Sequence, residues 1–310
     1  MSVLYFLESI RNPILDSFFS LVTLFGEETV FMAVGMIVFW CFDKYQGYYL
    51  LCTGFFGTVV NQFLKMLFRV PRPWIRDPKF TIVESAKEAA SGYSFPSGHT
   101  QTSVGLFGGI ARWNRLKPLK VVSILLCVLV PLSRMYLGVH TPSDVLVSTV
   151  FALLLVFFAY PLFKKAAAKP KIMYAVLFSL LALVLAFGAF VHFYPFPASV
   201  SLPENIGNLQ SAQKNFFTLL GCIIGLIVVY SADLKLDFPT NAVWWAQIIK
   251  SVGGIVFVLL VKELLRSPLD ALFAGHLISR SVRYFLMVLS GGLIWPLTFK
   301  FFAKLGGNKK

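Results

Sequence analysis

Residues 118–163 read PLKVVSILLCVLVPLSRMYLGVHTPSDVLVSTVFALLLVFFAYPLF, two apolar runs with a short polar segment between them. Each run is close to the roughly 20 residues that an α-helix needs to cross a lipid bilayer. Backbone amides in lipid must be satisfied within the segment itself, so apolar runs of this length predict transmembrane helices. The stretch therefore predicts a membrane hairpin of two helices, with Ser133, Arg134, His140 and Asp144 near its turn.

The whole chain shares this apolar character. Of its 310 residues, 57% are hydrophobic and 14% are charged, against about 25% charged in a typical soluble domain. Its mean hydropathy is +0.75. One soluble core cannot bury so much apolar surface, so the surplus is expected to face lipid. The composition excludes a secreted disulfide scaffold, a disordered protein and a soluble nucleic-acid-binding protein, and nucleic acid is not expected as a partner.

Nine apolar segments are candidate transmembrane helices. They are 24–42, 45–68, 98–113, 118–137, 143–163, 171–193, 211–231, 243–262 and 284–303. The first residues, 3–25, carry several polar side chains and predict an interfacial helix followed by a half-inserted one. The predicted fold class is all-α, a polytopic membrane helical bundle in which about four transmembrane helices follow a motif-bearing core.

The charge of the connections predicts the orientation of the bundle. Lys and Arg residues, 28 in all, contribute to a net charge of +14 and cluster between the apolar segments. If the spans alternate, three basic clusters, in 112–120, 164–171 and 300–310, fall on one side. That side is predicted to be cytoplasmic, because basic loops are retained there. The connections 69–97 and 133–142 then lie on the outer side.

Three polar motifs occur in these outer connections. They are Lys65-x6-Arg72-Pro73, Pro96-Ser97-Gly98-His99 and Ser133-Arg134-x5-His140-x3-Asp144. A single Arg or His at the end of a span is usually an interfacial anchor. Charges at membrane depth cost several kcal/mol unless they pair or line a wet cavity, however, so three spaced motifs on one side predict a functional site.

The cations of these motifs predict that the ligand is a multiply charged oxyanion. Arg72 and Arg134 offer planar forks to phosphate, and Lys65 adds a point charge. Ser97 and Gly98 open a predicted helix, whose free N–H groups and positive dipole end also hold phosphate oxygens.

The two histidines predict nucleophilic and acid–base chemistry. His140 and Asp144 are one helical turn apart, so the carboxylate can hold one ring nitrogen and present the other. His99 comes from another span and can protonate a leaving oxygen. Carboxylates are scarce and nearby cations would repel a divalent ion, so no metal is expected. The four cysteines contain no CxxC pair and predict no zinc site or disulfide framework.

Together the motifs resemble the signature KxxxxxxRP, PSGH, SRxxxxxHxxxD of the type 2 phosphatidic acid phosphatase superfamily, whose members are integral-membrane lipid phosphatases. The resemblance covers residues 65–144 directly and about 12–163 with the flanking helices. It implies that His140 attacks phosphorus and carries the phosphoryl group, while Asp144 fixes its tautomer. It also implies that His99 protonates the departing lipid oxygen and then activates water.

The same resemblance implies a set of phosphate-binding residues and no cofactor. These residues are Lys65, Arg72, Ser97, Gly98 and Arg134. Ser133 belongs to the motif but is given no chemical role. The expected partners are a lipid phosphate substrate and membrane lipids; the sequence makes no prediction of oligomeric state.

The predicted function is a metal-independent lipid phosphate or diphosphate phosphohydrolase on the outer face of a bacterial cell membrane. Undecaprenyl diphosphate is the leading substrate, because such a carrier is released outside and must lose a phosphate to be reused. Phosphatidate, phosphatidylglycerol phosphate and sphingoid-base phosphate are alternatives. From another class, a transporter of anionic lipid or phosphate, or a lipid-binding scaffold, would also use a cationic cluster.

The basic segment KKAAAKPK divides the chain into predicted domains. Residues 1–163 form the membrane-embedded phosphatase core, 164–171 a cytoplasmic linker, and 172–310 a transmembrane region without assigned function. Within that region Lys262 and Arg266 loosely repeat the first motif. This leaves an accessory headgroup site open beside ordinary interfacial anchoring.

One further prediction concerns the outer connection that joins the first two motifs. Residues 81–91 (TIVESAKEAAS) carry an amphipathic pattern and predict a short helix ended by Gly92. Such a helix would be a solvated surface element or a lid over the headgroup.

Overall fold

A computed structural model of the chain describes residues 1–87, 90–201 and 203–305. Within these residues the chain is 81% helical and contains no β-strand, which confirms the all-α prediction. The helices are α1 (Ser2–Ser9), α2 (Pro13–Thr23), α3 (Glu28–Cys41), α4 (Lys44–Phe68), α5 (Pro73–Arg76), α6 (Gly98–Trp113), α7 (Lys117–Tyr136), α8 (Pro142–Ala166), α9 (Pro170–Phe193), α10 (Pro203–Leu236), α11 (Trp244–Leu264), α12 (Arg266–Leu272), α13 (Ile278–Leu289) and α14 (Phe299–Lys304).

Six helical segments of the described residues are long and apolar enough to cross a membrane, and a bent pair could add a seventh. They are Lys44–Arg76, Lys117–Tyr136, Pro142–Ala166, Pro170–Phe193, Asn205–Leu236 and Ile278–Lys304, with Pro13–Gly26 and Glu28–Cys41 as the bent pair. The polytopic helical fold is therefore as predicted. Two of the nine predicted spans, those that became α6 and α11, do not meet this length and composition, and a third, 24–42, meets it only as part of the bent pair.

Helix α6 is shorter than a membrane span, and it can be short because protein surrounds it. Its 16 residues extend about 24 Å at 1.5 Å per residue, less than the roughly 30 Å of a hydrocarbon layer. Its side chains are buried almost continuously from Thr100 to Ala111. It also approaches α4 closely, since a Cβ added at Gly109 would lie 2.6 Å from a methyl carbon of Leu50. A polar helix is tolerated at this depth because its neighbours are helices and not lipid.

At the N-terminus, the structure replaces the predicted span 24–42 with a broken helix. Helix α2 begins at Pro13, and the side chain of Asn12 caps it by accepting from the Leu15 N–H at 3.0 Å. A 3₁₀ turn follows over Leu24–Gly26, and α3 then leaves at an angle of 52°. This break lets the end of α2 reach the site described below.

The helices form two compact units. The first contains residues 1–32, 49–162 and 193–212, and the second contains 33–48, 163–192 and 213–310. All the predicted site residues belong to the first unit, which also takes in 193–212 from beyond the basic segment. The linear division at 164–171 stays a prediction.

The second unit is held by polar contacts as well as by apolar packing. Lys44 pairs with Asp233 at 2.7 Å, and the indole N–H of Trp40 donates to the carbonyl of Gly291 at 2.8 Å. In the weak repeat of the first motif, Nζ of Lys262 lies 3.6 Å from Oε1 of Glu263, the next residue in the chain.

The predicted helix over 81–91 is not observed in the part that the structure describes. Only Glu84–Ala86 form a 3₁₀ turn, and residues 88–89 lie outside the described residues. The N–H of Thr81 donates to Glu8 Oε1 at 2.8 Å, and the N–H of Val83 donates to the carbonyl of Leu137 at 3.2 Å. The chain stays extended before the turn because these tertiary partners take its backbone donors.

Candidate active site

The turn from α7 to α8 places His140 over the end of α7. Gly138 has a φ of +82°, and a Cβ there would lie 2.8 Å from Arg11 Nη2, so glycine suits this position. The turn lets the N–H groups of Val139 and His140 both donate to the carbonyl of Arg134, at 3.1 and 3.2 Å. His140 is thereby folded back toward Arg134 and is 2% exposed.

Asp144 lies in the first turn of α8 and is fixed by several donors. Its Oδ2 accepts from the Thr141 N–H at 2.8 Å and from the Ser94 hydroxyl at 2.6 Å. The same oxygen lies 3.5 Å from Nδ1 of His140. The carboxylate is therefore held in place beside the imidazole, as the i, i+4 spacing predicted.

The contacts of His140 indicate which ring nitrogen is reactive. Arg72 Nη1 lies 3.0 Å from His140 Nε2. A guanidinium can only donate, so Nε2 carries the lone pair and Nδ1 carries the proton that faces Asp144. Burial, followed by the positive charges of Arg72 and Lys65, holds the pKa of His140 well below its ordinary value. The imidazole is thus neutral, with Nε2 free to act as a nucleophile once Arg72 turns to a ligand.

Arg72 and Lys65 are positioned by backbone carbonyls of residues 91–93. Arg72 donates to the carbonyls of Ser91 and Gly92 at 2.7 and 3.0 Å, and also to that of Val139 at 2.9 Å. Lys65 Nζ donates to the carbonyl of Tyr93. Both cations are buried, so one short segment of the connection between α5 and α6 aligns the two positive charges.

Arg134, the third cation, lies in the last turn of α7 and is fully buried. Its Nη1 donates to the hydroxyl of Thr23 at the end of α2, at 2.7 Å. Ser133 points elsewhere, because its hydroxyl donates to the Val130 carbonyl of its own helix at 2.7 Å. That Ser133 has no chemical role stays a prediction.

The start of α6 brings backbone N–H groups to the same place. Ser97 is the N-cap, and its hydroxyl accepts from the Thr100 N–H at 3.4 Å. Its own N–H donates to the carbonyl of Asp144 at 3.2 Å, which joins the start of α6 to the start of α8. The first N–H groups of a helix lack intrahelical partners, so those of Gly98 and His99 suit an anion.

His99 follows in the first turn of α6. Its Nε2 is buried and has no hydrogen-bond partner among the residues that the structure describes. The broken helix packs closely here, since a Cβ at Gly26 would lie 2.9 Å from the Cβ of His99. A buried imidazole nitrogen without a protein partner is suited to exchange a proton with a ligand.

The structure therefore brings the predicted residues together at the ends of five helices. They are Lys65 on α4, Arg72 just before α5, Ser97 at the N-cap of α6, Gly98 and His99 on α6, Arg134 on α7, His140 in the turn, and Asp144 on α8. This group contains three cationic side chains and one carboxylate. The arrangement suits a ligand with two or more negative charges.

Three polar residues at the site were missed by the sequence motifs. Ser94 bonds to Asp144 and Thr23 to Arg134, as described above, and both are distant from their partners in sequence. Asn61 lies one turn before Lys65 on α4, is 3% exposed, and has no partner for either amide atom within the described residues. A Cβ at Gly98 would lie 3.9 Å from its Oδ1. Asn61 precedes Lys65 by four residues and so shares its helix face, and this spacing could have identified Asn61 from the sequence.

Comparison with protein families gives two matches. Residues 45–168 match the family described as PAP2 superfamily. Residues 217–308 match the family described as PAP2 superfamily phosphatase, transmembrane extension. The first match contains all three motifs, and the second lies in the C-terminal helices.

Several individual proteins are similar to about half of this chain. Undecaprenyl-diphosphatase BcrC of Bacillus subtilis is 29% identical over 47% of this chain and 74% of its own length. A probable sphingosine-1-phosphate phosphatase of Dictyostelium discoideum is 29% identical over 47% of this chain and 38% of its own length. Phosphatidylglycerophosphatase B of Bacillus subtilis is 28% identical over 48% of this chain and 75% of its own length.

Proposed function

This chain belongs to the PAP2 superfamily, whose members are phosphatases, and we propose that it hydrolyses lipid phosphates through a phosphohistidine at His140. One observation supports this most directly. The Nε2 of His140 carries its lone pair beside Arg72, while Asp144 lies behind Nδ1. A buried, oriented, neutral imidazole among cations suits attack on a phosphate group.

In the first step of the proposed mechanism, Nε2 of His140 attacks phosphorus, and the bond from phosphorus to the lipid oxygen breaks. His99 donates a proton to that oxygen as it leaves. The cations Lys65, Arg72 and Arg134, together with the first N–H groups of α6, stabilise the charge on the equatorial oxygens.

In the second step, a water molecule attacks the phosphorus of phosphohistidine. His99, now without its proton, accepts a proton from the water, and the bond from phosphorus to Nε2 breaks. Inorganic phosphate leaves, and His140 and His99 return to their starting forms. Asp144 orients His140 throughout, as a positioning residue.

We expect catalysis without added metal. The charge on phosphate is met by three cations, and within residues 1–87, 90–201 and 203–305 no three His, Cys, Asp or Glu side chains form a group that could hold a metal ion. Phosphate release by the purified chain should therefore persist in EDTA. Vanadate should inhibit, because it adopts the five-coordinate shape of the transferring phosphoryl group. Activity that EDTA abolishes and magnesium restores would contradict the proposal.

The site is proposed to face the outside of a bacterial cell membrane. Support comes from the basic residues of the α6–α7 connection and of the C-terminal end of α8, at helix ends opposite to those that carry the site. Single cysteines at positions 78 and 168, in a chain without its native cysteines, should report this. We expect an impermeant thiol reagent to label position 78 in intact cells and position 168 only after lysis. The reverse pattern would overturn the orientation.

The proposed substrate is an isoprenoid diphosphate such as undecaprenyl diphosphate. An outward phosphatase can act on the released carrier, and one relative at 29% identity is named for this activity. The test is a panel of kcat/KM values for isoprenoid diphosphate, phosphatidate, phosphatidylglycerol phosphate and sphingoid-base phosphate, since this ratio measures discrimination. We expect the diphosphate to have the largest value. A tenfold preference for any of the others would exclude carrier recycling.

A further inference from the structure

A cavity of about 530 Å³ lies beside Arg72 in the first unit. Its polar and aromatic lining includes Arg72, Trp74, Tyr93, Asn205, Asn208 and Ser211. One wall belongs to the outer connection and the other to the first turns of α10. The cavity therefore opens next to the site but is not built from the histidines.

The wall on α10 lies between the two family matches, since the first match ends at residue 168 and the second begins at residue 217. Its polar residues, Asn205, Asn208 and Ser211, are three apart and so share one face of the helix. This segment is thus an addition to the phosphatase domain that faces a cavity beside a phosphate-binding arginine.

The lining has the chemistry of an anion site. Arg72 is its charged member, and the lining residues of this cavity include no carboxylate. Amide and hydroxyl groups of Asn208 and Ser211 can donate to oxygen. A sphingoid ammonium group would find no acidic partner here, whereas a phosphate would find a cation and neutral donors.

One guanidinium connects this cavity to the nucleophile. Nη1 of Arg72 contacts Nε2 of His140, while Nε and Nη2 contact the carbonyls of Gly92 and Ser91, which also line the cavity. The planar fork of arginine can bind two anionic groups along different edges. A ligand with two adjacent phosphates would place one on each side of Arg72.

We propose that this cavity binds the second phosphate of a lipid diphosphate, the one that is not transferred. The inference rests on the proposed function, since it places the first phosphate at His140. Nε2 then forms a bond to the terminal phosphorus, and the bond from that phosphorus to the bridging oxygen breaks. The electron pair stays on the bridging oxygen, and the lipid leaves as a monophosphate held by Arg72 and the α10 wall.

Gly207 offers a way to fill the cavity. It is part of the lining, and a Cβ added there meets no atom within 4 Å. A larger side chain fits the helical backbone, because glycine is the weaker helix former. Gly207→Phe would place a ring in the space of the second phosphate. The matched control is Ile206→Phe, one residue earlier, since Ile206 is 38% exposed and does not line the cavity.

The experiment compares kcat/KM for farnesyl diphosphate and farnesyl monophosphate, with the full chain in detergent micelles. We expect the wild type to prefer the diphosphate. Gly207→Phe should lower the diphosphate-to-monophosphate ratio at least tenfold, and Ile206→Phe should leave it within twofold. Asn208→Leu, which removes a donor without adding bulk at a glycine, should lower the ratio in the same direction.

The inference is overturned if Gly207→Phe and Asn208→Leu both leave the ratio unchanged. It is also overturned if Gly207→Phe reduces hydrolysis of phosphatidylglycerol phosphate more than that of the diphosphate, which would assign the cavity to a polyol. These outcomes leave the proposed function intact. If the wild type hydrolyses neither farnesyl diphosphate nor farnesyl monophosphate, the proposed isoprenoid substrate is excluded together with the inference.

Discussion

Replacing His140 with alanine is expected to reduce the turnover of every lipid phosphate roughly 10⁴-fold or more, because it removes the atom that is proposed to bond to phosphorus. The position of this atom depends on the turn at Gly138 and on Asp144. The measurement is the initial rate of phosphate release, together with acid quenching of the wild type on ³²P-labelled substrate. The label should be found on histidine in the wild type and be lost in His140→Ala.

The control for this prediction is Ser133→Ala in the same motif. Its hydroxyl bonds to a carbonyl of its own helix, so the variant should stay within about tenfold of the wild type. Near-normal turnover in His140→Ala would exclude it as the nucleophile. A label that stays on the protein in His140→Ala would assign the nucleophile to another residue.

Replacing His99 with alanine is expected to cost about 10²–10⁴ in kcat, the usual contribution of a positioned proton donor and acceptor. The loss should depend on the substrate. The rate of phosphohistidine formation should fall more with a lipid monophosphate, because its leaving oxygen needs the proton. It should fall less with a diphosphate, because the leaving group is itself a phosphate. Hydrolysis of phosphohistidine should be slow in both cases, because water has lost its base.

Rapid-quench kinetics can separate these steps. In His99→Ala with a diphosphate substrate, labelled phosphohistidine should accumulate to a larger fraction of the enzyme than in the wild type. The double variant His99→Ala/His140→Ala should be scarcely worse than His140→Ala, since residues that act as a unit are not additive. If His99→Ala slows both substrates equally and accumulates no phosphohistidine, His99 is not the acid and base.

The motif residues of the site could be predicted from the sequence because each motif is local. Lys65 and Arg72 follow one span, Ser97 to His99 open another, and the spacing of His140 and Asp144 places them one turn apart. The structure brings these residues together, and their proposed roles depend on the experiments above. Local spacing was enough here because helix geometry converts it directly into side-chain direction.

The supporting contacts could not be predicted in this way. Ser94 reaches Asp144 across 50 residues and Thr23 reaches Arg134 across 111. The carbonyls of residues 91–93 hold both Lys65 and Arg72, and a backbone carbonyl leaves no signal in the identity of its residue. The amphipathic pattern at 81–91 was misleading for a related reason: bonds to Glu8 and Leu137 keep its first residues extended.

Hydrophobic run length and helical spacing are local properties, so they were enough to predict a helical membrane protein and the motifs of its candidate site. The helix packing was needed to learn that α6 is enclosed by protein, that Nε2 of His140 is the nitrogen beside Arg72, and that the first turns of α10 face a cavity at this arginine. These features depend on segments far apart in the chain. Which of them meet depends on how the helices of the first unit pack together, and no single helix encodes it.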